Sequence, residues 1–485
     1  MKTELLARWA GRFRPGSDRA LARPSLAALI AVGLLVVFGL QPWESGHVQY
    51  DTLGTGMAEE RPNQSDFFQF WAVGAATLHE TDIYSPAARA ALGQGFRAEA
   101  ASPSASAREK RDASRFPVAQ DLGSPLLYSL FGYLQSGDFE RDSTVFEAVS
   151  LAAFIGALFW LCRRLRYGSA LSLLVVAAIV GTSEPLVLDL GWGNLNSIQV
   201  AMLVGYLALR WGAVTPRRSI AAGALLGFAI LTKPNLALIV PLLVVELLLA
   251  RRYRDVSLQV AGLAAGALVG VLISAVRFGS IEPWFGWIDA LRTLAPNYIW
   301  RENSVPANIL SLTGSGGSGA AALLSVIIMG SLSVLAAIVL VLADRGLTRR
   351  LGDGDRHTGT RTEEDRWRRE VLVMGIAVAI TLVGAPFAWN HYFLLAAPLL
   401  VYLLRPTQAG DVLGGPIGGR QIAAIAAFVF FSAEPAKIVS APADTVPYFV
   451  CLVIGTVILL AAALWELGRV AQPTACSATP GIHGA

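Results

Sequence analysis

The chain has 485 residues, of which 54% are hydrophobic and 15% are charged, and its mean hydropathy is +0.53. This composition excludes an ordinary soluble domain and is typical of a protein with many membrane-spanning helices. The formal net charge of +4 does not indicate a nucleic-acid partner, because the charges follow a topological pattern along the chain. The apolar stretches do not alternate in polarity, which also excludes a transmembrane barrel.

Taken in chain order, the apolar stretches predict an all-α polytopic membrane protein with about twelve transmembrane helices and both termini in the cytoplasm. The predicted spans are 25–42, 144–162, 169–188, 195–212, 219–232, 236–250, 256–276, 320–343, 371–388, 391–404, 421–433 and 446–465. With this topology the inner segments hold 26 of the 39 Lys and Arg, whereas the short outer segments hold only five. This excess of Lys and Arg in the inner segments fixes the predicted orientation.

The predicted topology divides a single membrane domain, 1–485, into spans and connecting segments. The segments are a cytoplasmic N-tail (1–24), a large extracytoplasmic loop (43–143), a second extracytoplasmic loop (277–319), a charged cytoplasmic loop (344–370) and a cytoplasmic C-tail (470–485). A loop as long as the first one is more than a connector needs, and such length is often associated with function. Functional residues are therefore expected on the outer face.

The first outer loop begins with a predicted helix in which Phe67, Phe70 and Trp71 recur at helical spacing. We expect this helix to lie in the membrane interface with its aromatic side toward lipid. A second apolar stretch, 125–134, is too short to span and predicts another interfacial helix. The residues between them, 87–115, lack a firm periodicity and predict a mobile surface insertion.

Two ionisable residues stand at conspicuous places on the predicted outer face. Asp66 opens the first interfacial helix, where it is either an acidic residue favoured by the helix dipole or a catalytic carboxylate. Lys233 lies beside Pro234 within an apolar stretch whose flanks are both basic, so the chain must turn back there. Its ammonium group can hold a phosphate or simply extend to water.

Other polar residues gather in the remaining outer segments. Asn194 and Asn196 lie in one short turn, and Asn390 and His391 in another. His391 is either a hydrogen-bonded structural residue or a catalyst. Arg301, in the second outer loop, can bind a phosphate in a bidentate manner or pair with Glu302. The tryptophans of that loop are predicted to be interfacial anchors or sugar-stacking groups.

Several common catalytic motifs are missing from the sequence. It contains no Walker-type loop and no Gly-rich turn between a strand and a helix. It also contains no Gly-x-Ser-x-Gly and no His-Glu-x-x-His. A nucleotide-dependent transferase and a membrane hydrolase are therefore disfavoured, and we predict no metal site.

The order of the polar motifs resembles that of glycosyltransferase family 87, a branch of the C-type membrane transferases that use polyprenyl-phosphate donors. The segment 65–74, SDFFQFWAVG, with Asp82-Ile83-Tyr84 after it, is similar to the family's Asp-aromatic-Trp-x-x-Gly opening and its later Asp-x-Tyr. Lys233-Pro234 and Trp389-Asn390-His391-Tyr392 are similar to its Lys-Pro and Trp-x-His-Tyr. The segment 191–196, GWGNLN, departs from the more usual Gly-Gln-x-Asn, so the role of that glutamine is open here.

The resemblance implies an enzyme with its active site on the outer face of a bacterial plasma membrane. The donor would be a polyprenyl-phosphate sugar, with mannose, another hexose or arabinofuranose as the sugar, and the acceptor a glycolipid or glycan. Asp66 would be the general base of an inverting transfer that needs no metal or other cofactor and no nucleic acid. The implied donor-phosphate and substrate-binding residues are Lys233, His391, Arg301, Asn194, Asn196, Asn390 and Tyr392.

Two other functions remain compatible with a multi-span protein that has polar residues on one face. A lipid-linked sugar transporter or flippase would place charged residues at mid-membrane depth. An O-antigen polymerase or ligase would share an outer active site but consume a diphosphate-linked glycan. The polar groups lie at the predicted outer ends of spans, which favours the transferase.

Overall fold

The computed structural model describes residues 65–76, 82–103, 105, 109–110, 113, 123–212, 214–293, 303–312, 318–350, 363–406, 418–432 and 446–470. These parts of the chain are helical and contain no strand, so the predicted all-α class is confirmed. The first predicted span, 25–42, lies outside them. In chain order the α-helices are α1 (Ser65–Ala76), α2 (Pro86–Ala100), α3 (Pro125–Leu134), α4 (Phe139–Arg164), α5 (Ser169–Thr182), α6 (Glu184–Trp192), α7 (Asn196–Arg210), α8 (Pro216–Thr232), α9 (Ile239–Leu249), α10 (Tyr253–Phe278), α11 (Glu282–Thr293), α12 (Val305–Leu312), α13 (Ser318–Arg350), α14 (Glu363–Gly384), α15 (Ala397–Leu404), α16 (Gly419–Phe431) and α17 (Val446–Val470).

Two short 3₁₀ helices, Pro234–Leu236 and Asn390–Ala396, interrupt this series. In the described ranges, four helices are long and apolar enough to cross a membrane, namely α4, α10, residues Gly319–Arg345 of α13 and residues Phe449–Arg469 of α17. Helices α5 and α6 meet at 63° and would form a fifth span if the bent pair is counted as one. The protein is thus a helical membrane protein, but the predicted count of about twelve spans is not confirmed.

The aromatic residues of α1 pack inside the protein. Phe67, Phe68 and Trp71 are all buried, and the ring centroids of Phe68 and Trp71 lie 5.7 and 5.5 Å from that of Phe139. Trp71 Nε1 also donates to Asp142 Oδ2 at 3.0 Å. The prediction that this side of α1 faces lipid is therefore wrong, because α3 and α4 supply the aromatic surface that covers it.

Two other predictions about the outer loops are corrected as well. The insertion that was expected to be mobile, 87–115, contains helix α2 (Pro86–Ala100). The expected interfacial anchors Trp284 and Trp287 are buried against each other with centroids 5.6 Å apart, and Trp284 Nε1 donates to Ser274 Oγ at 2.8 Å. A tryptophan whose N–H has a partner in the protein does not need the interface.

Helices α8 and α10 pack backbone to backbone through glycine. A Cβ atom added at Gly223 would lie 2.2 Å from the carbonyl oxygen of Gln259, and one at Gly227 would lie 2.3 Å from that of Leu263. The partners advance in the same direction along both helices, so α8 and α10 are parallel. Close small-residue packing of this kind is common between membrane helices, and it fixes the height of Lys233 at the end of α8.

We expect Gly227→Ala to lower the stability of the protein by about 1 to 3 kcal/mol, since the new methyl group would meet a backbone atom that cannot move alone. The unfolding midpoint in a denaturant titration of detergent-solubilised protein measures the effect. The matched control is Gly156→Ala in α4, where an added Cβ meets nothing within 4 Å. Equal midpoints for the two variants would contradict the packing.

Candidate active site

Four interruptions in the helices bring the predicted polar residues together. They are the start of α1, the turn between α6 and α7, the break after α8, and the 3₁₀ helix after α14. The side chains connected there by hydrogen bonds or ring contacts are Asp66, Asn194, Asn196, Lys233, His391 and Tyr392. The expectation that residues far apart in sequence share one site is met for these six.

Asp66 is connected to Lys233 through a single side-chain amide. Asn194 Nδ2 donates to Asp66 Oδ2 at 2.6 Å, and Lys233 Nζ donates to Asn194 Oδ1 at 2.7 Å. The backbone N–H of Leu195 donates to the same Oδ1 at 2.7 Å. With two donors on its oxygen, Asn194 must present its NH₂ group to the carboxylate.

A second buried carboxylate stands on the other side of Lys233. Nζ also donates to Asn196 Oδ1 at 3.4 Å, and Asn196 Nδ2 donates to Asp189 Oδ1 at 2.8 Å. Asp189 further accepts from the backbone N–H groups of Asn196 and Ser197 at 3.1 and 2.9 Å, and from the Ser197 hydroxyl. Asp189 is fully buried, and four donors satisfy its two oxygens.

Hydrogen bonds connect five side chains in the order carboxylate, amide, ammonium, amide and carboxylate. We call this set the Lys233 clamp, and its members are Asp66, Asn194, Lys233, Asn196 and Asp189. One cation is therefore linked to two carboxylates through the amides of Asn194 and Asn196. Asp66 is the partly exposed end of the clamp, whereas Asp189 is its buried end. This arrangement leaves Asp66 as the carboxylate that a substrate can reach.

Tyr392 and His391 close the site from the 3₁₀ helix. Lys233 Nζ lies 4.0 Å from the centroid of the Tyr392 ring, within the range of a cation–π contact. The ring of His391 lies 4.9 Å from that of Tyr392. His391 is buried, and its Nε2 has no hydrogen-bond partner in the described part of the chain, nor has Oδ1 of Asn390. Both atoms can therefore serve a substrate group.

Three residues outside the predicted set also hold this site. The side-chain amides of Gln199 and Asn235 form two reciprocal hydrogen bonds. Gln199 Nε2 donates to Asn235 Oδ1 at 2.9 Å, and Asn235 Nδ2 donates to Gln199 Oε1 at 3.2 Å. Gln199 Nε2 also donates to the carbonyl of Lys233 at 3.3 Å. The third residue is Asp189. It lies on α6, whereas Asn196 begins the next helix, α7, so helical spacing gives no signal for their contact.

The turn that carries the two asparagines depends on a glycine. Gly193 ends α6 with a φ of +68°, in the left-handed region that favours glycine. A Cβ atom there would lie only 2.4 Å from Cβ of Phe67, the residue next to Asp66. The start of α1 therefore rests directly on the backbone of this turn.

Arg301 lies outside the described residues, so its predicted phosphate contact stays a prediction. The described part of the chain resumes at Asn303, whose carbonyl accepts from the N–H of Ala388 at 2.6 Å. Ala388 is two residues before Asn390. The end of the second outer segment thus packs beside the 3₁₀ helix of the site.

The carboxyl of Asp66 is poised for proton transfer. Helix α1 is not among the candidate spans. Burial raises the pKa of Asp66 to about 6, against the hydrogen bond from Asn194 and the charge of Lys233, which both lower it. A general base works best with a pKa near the operating pH. Asp66 can therefore be ionised at neutral pH and still accept a proton.

If Asp66 is the base, it must be ionised in the free enzyme. We therefore expect kcat/KM to fall about tenfold for each pH unit below the pKa of Asp66. The expected midpoint of that acid limb is about pH 6. Asn194→Ala removes a hydrogen bond that lowers the pKa, so the limb should move to higher pH. The measurement is a pH–rate profile, with Asn235→Ala as the control that leaves the limb in place. An unshifted limb in Asn194→Ala would contradict the assignment.

Within the described residues, no group of three or more His, Cys, Asp or Glu side chains is placed to hold a metal ion. The independence from a metal remains a prediction, and so does the assignment of each residue to a substrate group. The geometry of the described residues offers a partly exposed carboxylate, an ammonium group connected to it through Asn194, and an unpartnered imidazole nitrogen in the adjoining 3₁₀ helix.

Comparison with known protein families gives a match over part of the chain. The sequence model described as glycosyltransferase family 87 matches residues 123–353, a region that includes Asp189, Asn194, Asn196 and Lys233. Asp66 and His391 lie outside the matched region. Neither the curated proteins nor the solved structures contain a match to the chain. The resemblance seen in the motifs is confirmed by the family match.

Proposed function

We propose that this chain, whose residues 123–353 match glycosyltransferase family 87, transfers a single sugar from a polyprenyl-phosphate donor. The family match indicates a membrane glycosyltransferase. The more specific proposal is that the sugar is mannose, another hexose or arabinofuranose, and that the acceptor is a lipid or glycan. The reaction takes place on the extracytoplasmic face and inverts the anomeric carbon, with Asp66 as the base.

The observation that carries the proposal is the position of Asp66 within one amide of Lys233. A transfer from a lipid phosphate needs a base for the acceptor hydroxyl and a cation for the departing phosphate. The hydroxyl oxygen bonds to the anomeric carbon while its proton passes to Asp66. The bond between the anomeric carbon and the phosphate oxygen breaks, and the polyprenyl phosphate keeps that electron pair.

The Lys233 clamp supports these roles by fixing each group. Asn194 holds Oδ2 of Asp66, so Oδ1 is the oxygen that receives the proton. The longer bond from Lys233 goes to Asn196 at 3.4 Å and the shorter one to Asn194 at 2.7 Å. A phosphate would most easily replace the longer contact, and Lys233 would keep its connection to the base.

The remaining site residues suit the same reaction. His391 Nε2, which lacks a partner in the described structure, can donate to a phosphate oxygen or orient the acceptor hydroxyl. Tyr392 holds Lys233 by its ring, and Asn390 contributes an amide oxygen at the rim. Arg301 is proposed as a second phosphate ligand on the basis of the family resemblance alone.

The proposal is tested by supplying purified protein with two kinds of donor. We expect label to pass from a polyprenyl-phosphate mannose or arabinofuranose to a membrane acceptor fraction, and not from the corresponding nucleotide sugars. Transfer from a nucleotide sugar alone would contradict the proposal. Movement of the intact lipid-linked sugar across a vesicle membrane without a new glycosidic bond would indicate a flippase. Use of a diphosphate-linked glycan alone would indicate a polymerase or ligase.

A further inference from the structure

A basic cavity lies at the end of α8 that is remote from Lys233. Helix α8 has 17 residues, so about 25 Å separates its two ends. The cavity has a volume of about 340 Å³, and its polar lining includes Arg251, Arg252 and Arg254, together with Tyr253 and one carboxylate, Asp255. It is thus on the opposite side of the helical bundle from the candidate active site.

Buried ion pairs beneath the cavity do not neutralise its charge. Arg210 is fully buried, and its Nη2 lies 2.6 Å from both Asp255 Oδ2 and Glu370 Oε1. Arg252 Nη2 lies 3.1 Å from the same oxygen of Asp255, and Arg366 Nε lies 4.0 Å from Glu370 Oε1. The charge of Glu363 also acts on Arg366, so this buried cluster matches its own charges and leaves those of Arg251 and Arg254 uncompensated.

The positive charge of the cavity comes from the arginines that line it. Arg252 Nη1 is buried without a hydrogen bond in the described residues and lies 3.7 Å from Glu370 Oε1. Arg251 and Arg254 are exposed and add two further charges. Helix α10 starts here with no side-chain cap, so the amide groups of its first turn add positive potential. An anion in the cavity would compensate this charge.

The surface next to the cavity indicates which anion it takes. Helix α10 is a candidate span, and only 22% of its apolar window is buried inside the protein. Val260, Leu268 and Leu272 are about half exposed along it. Below the basic cavity there is thus a continuous aliphatic face that acyl chains can cover. A free phosphate would not use that face, whereas a phospholipid would place its headgroup in the cavity and its acyl chains along the face.

We propose that the Arg251–Arg254 cavity binds the headgroup phosphate of an anionic phospholipid whose acyl chains lie along α10. Arg252 and Arg254 contact the phosphate, and Arg251 faces the rest of the headgroup. This site is separate from the transfer reaction, because it lies at the other end of α8. Its occupant stabilises the parallel α8 and α10 pair from the side opposite the active site.

The test variant is Arg251→Gly combined with Arg254→Gln. Arg251 has a φ of +55°, a conformation that glycine adopts without strain, so the substitution should not disturb the local fold. The matched control is Arg166→Gly combined with Arg163→Gln. It also removes two exposed arginines at a helix end and also replaces a residue of positive φ, here +68°, but it does not touch the cavity.

The experiment measures the thermal midpoint of detergent-solubilised protein with added phosphatidylglycerol, phosphatidylcholine or inorganic phosphate, and counts retained lipids by native mass spectrometry. We expect phosphatidylglycerol to raise the midpoint of the parent protein and of the control variant by several degrees and to remain bound as one lipid. The test variant should lose both effects. An equal response of the test variant, or the same response to inorganic phosphate or phosphatidylcholine, would overturn the proposal.

Discussion

Replacing Asp66 with asparagine is expected to reduce sugar transfer by about 10² to 10⁴-fold, the usual contribution of a general base. The amide has the shape of the carboxyl group and can still accept the hydrogen bond from Asn194, so the site should keep its geometry. What it loses is the ability to take a proton. The measurement is the initial rate of label transfer from the polyprenyl-phosphate donor, normalised to the amount of folded protein.

The control for this substitution is Asp289→Asn, which removes a carboxylate from the exposed side of α11. We expect that variant to transfer sugar at the parental rate. Undiminished transfer by Asp66→Asn would remove Asp66 from the mechanism while leaving the donor assignment open. If both variants lost sugar transfer to the same extent, the loss would reflect a general effect of removing a carboxylate and not a role of Asp66 as the base.

The second large effect is expected for Lys233→Met, which keeps the length of the side chain but removes its charge. The variant can neither counter the charge of the departing phosphate nor donate to the two asparagines. We expect kcat/KM for the donor to fall by about 10² to 10³-fold, as when one preorganised donor is removed from a transition-state site. Transfer rates at several donor concentrations give this value.

Arg292→Gln serves as the control for Lys233→Met, because Arg292 is an exposed cation on α11 outside the clamp. Thermal midpoints of both variants separate a loss of chemistry from a loss of fold. Unchanged donor dependence in Lys233→Met would exclude Lys233 from the phosphate site. It would then have only the structural role of orienting Asn194 and Asn196.

The convergence of the site was predictable because topology and motif order both place its residues on one face. Asp66, Lys233 and His391 are far apart in sequence, yet each stands at a predicted outer end of a helix. The contacts among them were not predictable. They depend on a left-handed residue at Gly193 and on the extended Lys233 before Pro234, and short turns of this kind have no periodic signal.

The orientation of the aromatic residues illustrates a limit of periodicity. The spacing of Phe67, Phe70 and Trp71 identifies an apolar face, but lipid and protein can both cover such a face. Here Phe131 lies 5.6 Å from Phe67 and 5.3 Å from Phe70 between ring centroids. Only the partner helices, which come later in the chain, decide the outcome.

The predicted count of about twelve spans is not confirmed, for a related reason. The predicted span 236–250 is represented by α9 with 11 residues, and the predicted span 391–404 begins as a 3₁₀ helix before α15. Apolar composition alone does not distinguish a full span from a short helix that is buried among its neighbours. The break at Lys233, in contrast, was predicted from the basic flanks and is confirmed.

The contact between Gly193 and Phe67 makes the acidity of the base dependent on a residue that cannot ionise. Any side chain at position 193 would push the first turn of α1 outward, since its Cβ would overlap that of Phe67. Asp66 would then move away from Asn194 and toward water. A Gly193→Ala enzyme should consequently show the kinetic behaviour of a damaged base, although every titratable group in the protein would still be present.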